Sequence, residues 1–450
     1  MSDDMVKYPR LTDLERKARR RIPHFIFEYL DAGTGRDFAK DANEAAYREL
    51  NLTPQFLRGR IQPDTSTTLL GRTYGVPFGV APVGLSSSIW PGAEQILARA
   101  AKAHGFPYAL STVAGDSVER VSKVGGDMTW FQLYPPNDRD IGFDMLRRAA
   151  DCGVETLVVT ADVPGPSRRE RMRLSGGPVG SRGKSMYTPR VIMQSMVRPE
   201  WSLRMLANGG PRFRNFEPYA DRFGKMSVTE FIGSQLNGSL DWDYLDLIRE
   251  RWSGKLLLKG ILHGQDAERA VRAGVDGLVI SNHGGRQLDA APHPLHQLPH
   301  IRAIVGSKMP LIVDSGVRSG LDVAKAIASG ADFVMLGRSF LYAVAALGAR
   351  GGEHAAAILM DELQDVMRQL GVTTIAGLAE VPVSRSANCS VERYQEDFRH
   401  ENDNHHISDA RRLCIQRCCR RHVGNRYSAA ARHGARHGHD RRLCRHHKQW

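Results

Sequence analysis

Gly277-Leu278-Val279-Ile280-Ser281-Asn282-His283-Gly284-Gly285-Arg286-Gln287-Leu288-Asp289 is an apolar run that empties into a base and a cation. The first four residues read as a buried strand. The paired glycines let backbone or a ligand approach its carboxyl end closely. A histidine and an arginine delivered together at a strand end suit acid–base chemistry on an anionic substrate. The same unit recurs outward from this segment. Apolar runs followed by helical stretches stand at 77–81, Tyr108–Ser111, Thr129–Leu133, Thr156–Thr160, 256–259, Gly277–Ile280, 311–314 and Phe333–Leu336. Helix-like stretches between them include Ala93–His104, 141–151, 265–273 and 319–328. Continuously apolar strands alternating with helices indicate a parallel sheet covered on its outer face. Eight such repeats close into a (β/α)8 TIM barrel, an α/β fold. The competing doubly wound open sheet wants a glycine-rich turn after its first strand, and no GxGxxG or Walker A pattern occurs in the chain.

Before the first strand, residues 11–31 are expected to form a helical extension, with Thr12 as its cap and Gly33 and Gly35 as its stop. A second short helix and a link are expected over 40–58. One connection is far longer than an ordinary loop: residues 163–254 separate the fourth and fifth strands, with an insert at about 170–240. It carries Met186, Met193, Met196, Trp201, Met205 and many arginines. It reads as a lid or surface excursion, or as a basic, apolar surface in peripheral contact with a membrane.

At 450 residues, 42% hydrophobic and 25% charged, the composition is that of a soluble globular protein. No apolar run is long enough to span a membrane, and the charged first twenty residues hold no signal core. The expected location is the cytoplasm or the inner face of the membrane. The formal charge of +13 is concentrated in the tail: residues from His405 onward net +10. Five of six cysteines and nine of 17 histidines lie after 385, leaving Cys152 alone in the body. That usage suits a reducing compartment without disulfides. The chain thus divides into a barrel domain at 1–384 and a basic, Arg/His/Cys-rich tail at 385–450, expected to be disordered or read in a shifted frame. Cys414, Cys418, Cys419 and His422 do not have a recognised finger spacing, and no metal is expected. A barrel scaffold whose basic tail binds nucleic acid is the rival reading; no nucleic-acid partner is expected.

In a barrel the functional groups gather where strands end. The first end offers Ala81-Pro82-Val83-Gly84, the next two Ser111 and Gln132-Leu133-Tyr134, and the fourth Thr160-Ala161-Asp162, followed by Arg168-Arg169. The fifth ends at Lys259, the seventh at Asp314-Ser315-Gly316-Val317-Arg318, and the eighth at Gly337-Arg338. Glycine amides beside an arginine at the last two ends suit phosphate oxygens. Ser111, Gln132 and Thr160 suit the polar edge of a flat heterocycle, and Lys259 can stabilise negative charge on it. Phosphate and planar ring together describe flavin mononucleotide (FMN).

With these motifs the chain resembles the FMN-dependent L-2-hydroxy acid oxidases and dehydrogenases over about residues 8–384. The Ser281–Asp289 segment, Phe131-Gln132-Leu133-Tyr134, Thr160-Ala161-Asp162 and Asp314-Ser315-Gly316-Val317-Arg318 carry the resemblance. Trp90-Pro91 and Trp201-Ser202-Leu203 look closer to mandelate dehydrogenase than to glycolate oxidase. The resemblance implies that His283 is the base and Asp162 the carboxylate that orients it. Arg169 and Arg286 would hold the substrate carboxylate, and Tyr29 and Tyr134 would bond its carboxylate and hydroxyl region. Ala81, Pro82, Val83, Ser111, Gln132, Thr160, Lys259, Ser281, Asp314, Gly316, Arg318, Gly337 and Arg338 would bind FMN. The implied reaction oxidises a lactate- or mandelate-type L-2-hydroxy acid to the 2-oxo acid, with flavin taking a hydride or its equivalent. Oxygen, a quinone or a cytochrome is the electron acceptor, no heme domain is expected before the barrel, and a homo-oligomer is implied. Another FMN-barrel oxidoreductase or isomerase would not need His283, Arg286 and Arg169 together. Ser167, Pro164-Gly165-Pro166 and Val113 depart from relatives in ways that bear on substrate size.

Overall fold

Eight parallel strands close into a barrel: Phe78–Val80, Tyr108–Ser111, Thr129–Leu133, Thr156–Thr160, Lys255–Lys259, Gly277–Ile280, Leu311–Val313 and Phe333–Leu336. The eighth pairs with the first, Val334 opposite Phe78, which completes the ring. The computed structural model describes residues 3–176, 188–224, 226–238 and 240–385, all within one unit, Met1–Ser386. The tail after 385, with its basic run and Cys414, Cys418, Cys419 and His422, lies outside the described residues, as does Met186.

Almost every barrel-strand residue is buried on both faces, as the unbroken apolar runs require. Alternate side chains point inward. Ala109, Trp130, Val158, Leu257, Val279 and Ile312 belong to the cluster that fills the barrel. A hairpin of Thr67–Leu69 and Arg72–Tyr74 closes the amino-terminal end, where Tyr74 meets Trp130 and Phe333 edge-on at 6.3 and 5.6 Å. That end is thereby plugged with aromatic surface, and the chemistry is left to the carboxyl end.

The helices begin where their caps dictate. Asp138 accepts from the Asp140 and Ile141 amides ahead of Arg139–Asp151, and Ser319 accepts from Asp322 ahead of Gly320–Ala328. The expected single helix over 11–31 is two, Leu11–Arg21 and His24–Asp31. Pro23 has no amide to donate and drives Ile22 into extended backbone, φ −105° and ψ 157°. Thr12 does not cap; Arg10 holds the cap position and its side chain bonds Asp13 instead. The break lets Leu11–Arg21 pack on Arg338–Leu347 while His24–Asp31 turns over the barrel mouth. Phe38–Arg48 follows, and the chain returns at Val383–Arg385 to pair with Leu50–Leu52.

The described part of the insert forms Glu170–Ser175, Pro189–Met196, Pro199–Ala207, the 3-10 stretch Glu217–Phe223, and the helices Val228–Gln235 and Trp242–Arg251. Trp201 anchors it, its indole donating to the Ser88 and Ile89 carbonyls and its ring lying edge-on to Phe25 at 6.0 Å. Gln194 accepts from the Phe25 amide at 2.7 Å. On the other side of the same helices, Ile192, Met193, Met196, Leu203 and Leu206 are exposed. No helix among the described residues is long and apolar enough to cross a membrane.

Candidate active site

A cavity of about 340 Å³ opens at the carboxyl end of the barrel. Its floor is a polar chain that runs from strand to strand. Ser111 Oγ donates to Gln132 Oε1 and Gln132 Nε2 donates to Thr160 Oγ1, both at 2.9 Å. On the next strand Lys259 Nζ donates to Ser281 Oγ at 2.8 Å and lies 3.4 Å from both Asp162 Oδ2 and Asp314 Oδ2. An unpaired ammonium so deeply buried would cost several kcal/mol. Burial pulls the lysine's pKa down, but Asp162 and Asp314 outweigh it, so Lys259 stays charged well above neutral pH.

His283 stands directly after this floor. Its φ is +58°, a left-handed conformation that few non-glycine residues adopt. Ser281 Oγ accepts from its amide at 3.0 Å, which fixes the turn. Nδ1 lies 2.7 Å from Asp162 Oδ1 and Nε2 lies 3.3 Å from the Tyr134 hydroxyl. Burial would raise the Asp162 carboxyl, but His283 and Lys259 outweigh it and hold it down to about 2. An ionised carboxylate only accepts, so Nδ1 carries the proton and the Nε2 lone pair faces the cavity. Burial lowers the His283 pKa, opposed by Asp162, which keeps the imidazole neutral near pH 7.

Three guanidinium groups complete the wall. Arg286 donates to the Tyr29 and Leu30 carbonyls, Arg338 to those of Leu30, Ala32 and Gly284, and Arg169 to Ser167 Oγ. Among the described residues none of the three has a carboxylate in ion-pair contact. Burial pulls Arg286 and Arg338 down to about 10 and lowers Arg169 as well. Buried positive charge without a counter-ion is a site built for anions. The Tyr29 hydroxyl donates to the Gly84 carbonyl at 2.7 Å and lines the same cavity.

The segment around His283 is fastened to the N-terminal extension. Asn43 and Asn282 exchange amide hydrogen bonds at 2.8 and 2.7 Å, and Gly285 presents its carbonyl to the Thr34 amide. Gly285 has φ +71°, and a Cβ there would fall 2.4 Å from the Lys40 amide nitrogen. Gly316, φ +87°, lies equally close to the Asn43 carbonyl. Both positions therefore need glycine.

The structure brings the expected residues together with differences in detail. Ala81, Pro82, Val83, Tyr29, Tyr134, Arg169, Lys259, His283, Arg286, Asp314, Gly316, Arg318, Gly337 and Arg338 line the cavity. Ser111, Gln132, Thr160 and Ser281 are buried in the hydrogen-bonded floor. Arg318 is tied to Glu44 at 2.8 Å, so its guanidinium is already neutralised. Arg168 points to solvent and pairs with Glu170. Sequence reasoning missed Leu85, Phe213, Ile232 and Leu236, which line the same cavity. A signal existed: Ser227 and Glu230 form a capping box, which starts a helix that carries Ile232 and ends just before Leu236.

The donor set fits FMN on the structure's own terms. Helix Arg338–Leu347 starts at the cavity wall with Gly337 as its cap, offering first-turn amides to a phosphate beside Arg338. Lys259 at the cavity, above the amide and hydroxyl groups of the floor, would supply positive charge and polar partners to a flavin's heterocyclic ring. Barrel and donor set together define a flavin-dependent barrel enzyme. A model described as FMN-dependent dehydrogenase matches residues 18–385, and the chain belongs to that family. FMN is its cofactor, and it is an FMN-dependent oxidoreductase. The L-lactate dehydrogenase of Bartonella quintana (strain Toulouse) is 38% identical over 369 residues, 81% of this chain and 94% of that protein. That of Caulobacter sp. (strain K31) is 37% identical over 368 residues, covering 81% and 95%. Among solved structures, monotopic membrane protein (S)-mandelate dehydrogenase superposes with a TM-score of 0.78 at 31% identity, covering 84% of this chain and 99% of that one. A mandelate oxidase superposes with a TM-score of 0.71 at 34% identity, covering 84% and 99%.

Proposed function

We propose that this enzyme oxidises an L-2-hydroxy acid to the 2-oxo acid, with His283 as the base. One observation carries the reading: a neutral imidazole oriented by Asp162 shares its cavity with two half-buried guanidinium groups, Arg169 and Arg286, which have no carboxylate partner among the described residues. A substrate carboxylate neutralises those arginines and fixes the carbon to be oxidised. Tyr134, beside Nε2, and Tyr29, beside Gly84, supply hydroxyls for the substrate's oxygens. Nε2 accepts the proton that the substrate releases, and Asp162 stabilises the resulting imidazolium. When bound, FMN supplies the two-electron acceptor. Lys259 holds positive charge at the floor, and Ala81, Pro82, Val83, Ser111, Gln132, Thr160, Ser281, Asp314, Gly316, Arg318, Gly337 and Arg338 hold the cofactor. The relatives named for L-lactate and for mandelate support this substrate class. Anaerobic addition of an L-2-hydroxy acid should bleach the flavin absorbance and the D-enantiomer should not. If no L-2-hydroxy acid reduces the flavin, the reading fails.

The insert supports a second part of the same reading. The exposed face of Pro189–Met196 and Pro199–Ala207 carries Ile192, Met193, Met196, Leu203 and Leu206, flanked by exposed Arg190 and Arg204. We infer that this face rests on an anionic bilayer surface. The similarity to a monotopic membrane protein agrees with it. Co-sedimentation with anionic vesicles should be lost when Ile192, Met196 and Leu206 are changed to serine; retention by that variant would refute the contact.

A further inference from the structure

We propose that the substrate's side chain is bulky and apolar, aryl or branched alkyl, and is seated against a hydrocarbon wall of which the insert supplies half. The inference rests on the hydroxy-acid reading above and names the substrate class within it.

Besides the residues of the cofactor cradle and the carboxylate clamp, the cavity has a third, apolar part to its lining. Beyond His283, Arg169 and Arg286 it is bounded by Leu85, Val113, Val163, Phe213, Ile232 and Leu236. None of these six side chains carries a polar atom. Thr229, on the same insert helix as Ile232, also lines the cavity but is exposed. A charged or hydroxylated substituent seated there would surrender its water without a partner. An apolar one gains about fourfold in affinity for each buried methylene. A methyl group, as in lactate, is far too small to cover six hydrocarbon side chains.

The wall is fixed in place. Ile232 is 7% exposed although half of its helix is exposed. That helix is hung from the loop after the third strand: Asn137 donates from its amide to the Gln235 carbonyl and from Nδ2 to the Ser234 carbonyl, both near 2.8 Å, 2.8 and 2.7 Å respectively. The Asp138 amide donates to Gln235 Oε1. The same loop follows Tyr134, so wall and tyrosine share a mounting. On the other side Gly238, φ +92°, sits against Pro164 so closely that a Cβ would meet its carbonyl oxygen at 2.2 Å. The Val163–Pro166 side and the insert helix thereby brace each other.

The test compares anaerobic flavin reduction of the holoenzyme by L-lactate, L-2-hydroxy-4-methylpentanoate and (S)-mandelate. Calorimetric binding of the oxo acids pyruvate and phenylglyoxylate to the oxidised holoenzyme gives a readout independent of turnover. The bulky acids should exceed lactate in kcat/KM by about tenfold or more, and phenylglyoxylate should bind about tenfold or more tighter than pyruvate. Ile232→Trp, which fills the space, should lower the mandelate-to-lactate ratio of kcat/KM by about tenfold. Leu236→Asp, which charges the wall without filling it, should lower the ratio as well and covers the case in which the tryptophan variant loses its flavin. A wild-type preference for lactate, or a ratio unmoved in both variants, overturns the proposal and leaves the hydroxy-acid reading standing. Failure of every acid to bleach the flavin overturns both.

Discussion

His283 is held by contacts that set its basicity as well as its position. Burial lowers its pKa below the ordinary 6.5, and the Asp162 carboxylate at 2.7 Å works in the opposite direction. The base is active when unprotonated, so activity should be lost as pH falls through that lowered value. The acid limb of kcat/KM against pH should therefore have its midpoint below 6.5. Asp162→Asn removes the group that raises the pKa. It should move the limb to still lower pH and slow flavin reduction on the order of 10²-fold. A limb that moves upward in that variant would contradict the assigned electrostatics. His283→Gln should keep the yellow holoenzyme and cut its reduction rate by about 10²–10⁴-fold in stopped-flow traces. Near-normal rates would remove His283 from the mechanism. Arg169 shares the strained backbone of His283, with φ +41°. Leu85 and Ser315, also on the cavity wall, have positive φ as well, so conformational cost is concentrated where side chains must be aimed.

Elements carry these residues unequally, and so does the sequence that encodes them. The strands Thr156–Thr160 and Gly277–Ile280 were legible because burial on both faces leaves an unbroken apolar run. The residues that end or follow such strands point into the mouth of the barrel by geometry, so Asp162, Lys259 and His283 stood out by position, while the roles of Asp162 and His283 came from the family resemblance. The plug hairpin Thr67–Tyr74 was not legible: its strands have three residues each and leave almost no periodic signal. The insert's contribution was hidden for another reason. Phe213, Ile232 and Leu236 act through a fold-back over the cavity; the capping box at Ser227 marks where a helix starts but not where it lands, and Pro23 broke a helix whose apolar spacing continues through it. The joint between extension and active-site segment also depends on two distant elements. Gly285→Ala would put a Cβ against Lys40 in a left-handed backbone, costing at least about 1–2 kcal/mol. It should lower the melting temperature and weaken flavin reduction together; an unchanged melting curve would mean that this joint is loose.

For the whole molecule, the family match runs as far as Arg385, where Val383–Arg385 pairs with Leu50–Leu52. Every residue assigned to the site precedes Ser386, so a chain stopped there should hold FMN and reduce it within about twofold of the full-length rate. Loss of flavin from that truncation, read by absorbance after gel filtration, would tie the basic tail to the barrel. The ring itself has a consequence for biosynthesis. Phe78–Val80 has the last strand, Phe333–Leu336, as one of its two neighbours. A ribosome adding roughly 5–20 residues per second needs tens of seconds to deliver that neighbour. Throughout that interval the nascent sheet keeps one edge unpaired and its helices without their full footing. The polypeptide is then most exposed to mispairing with its siblings, and chaperone capture before residue 336 should govern yield more than the stability of the finished enzyme.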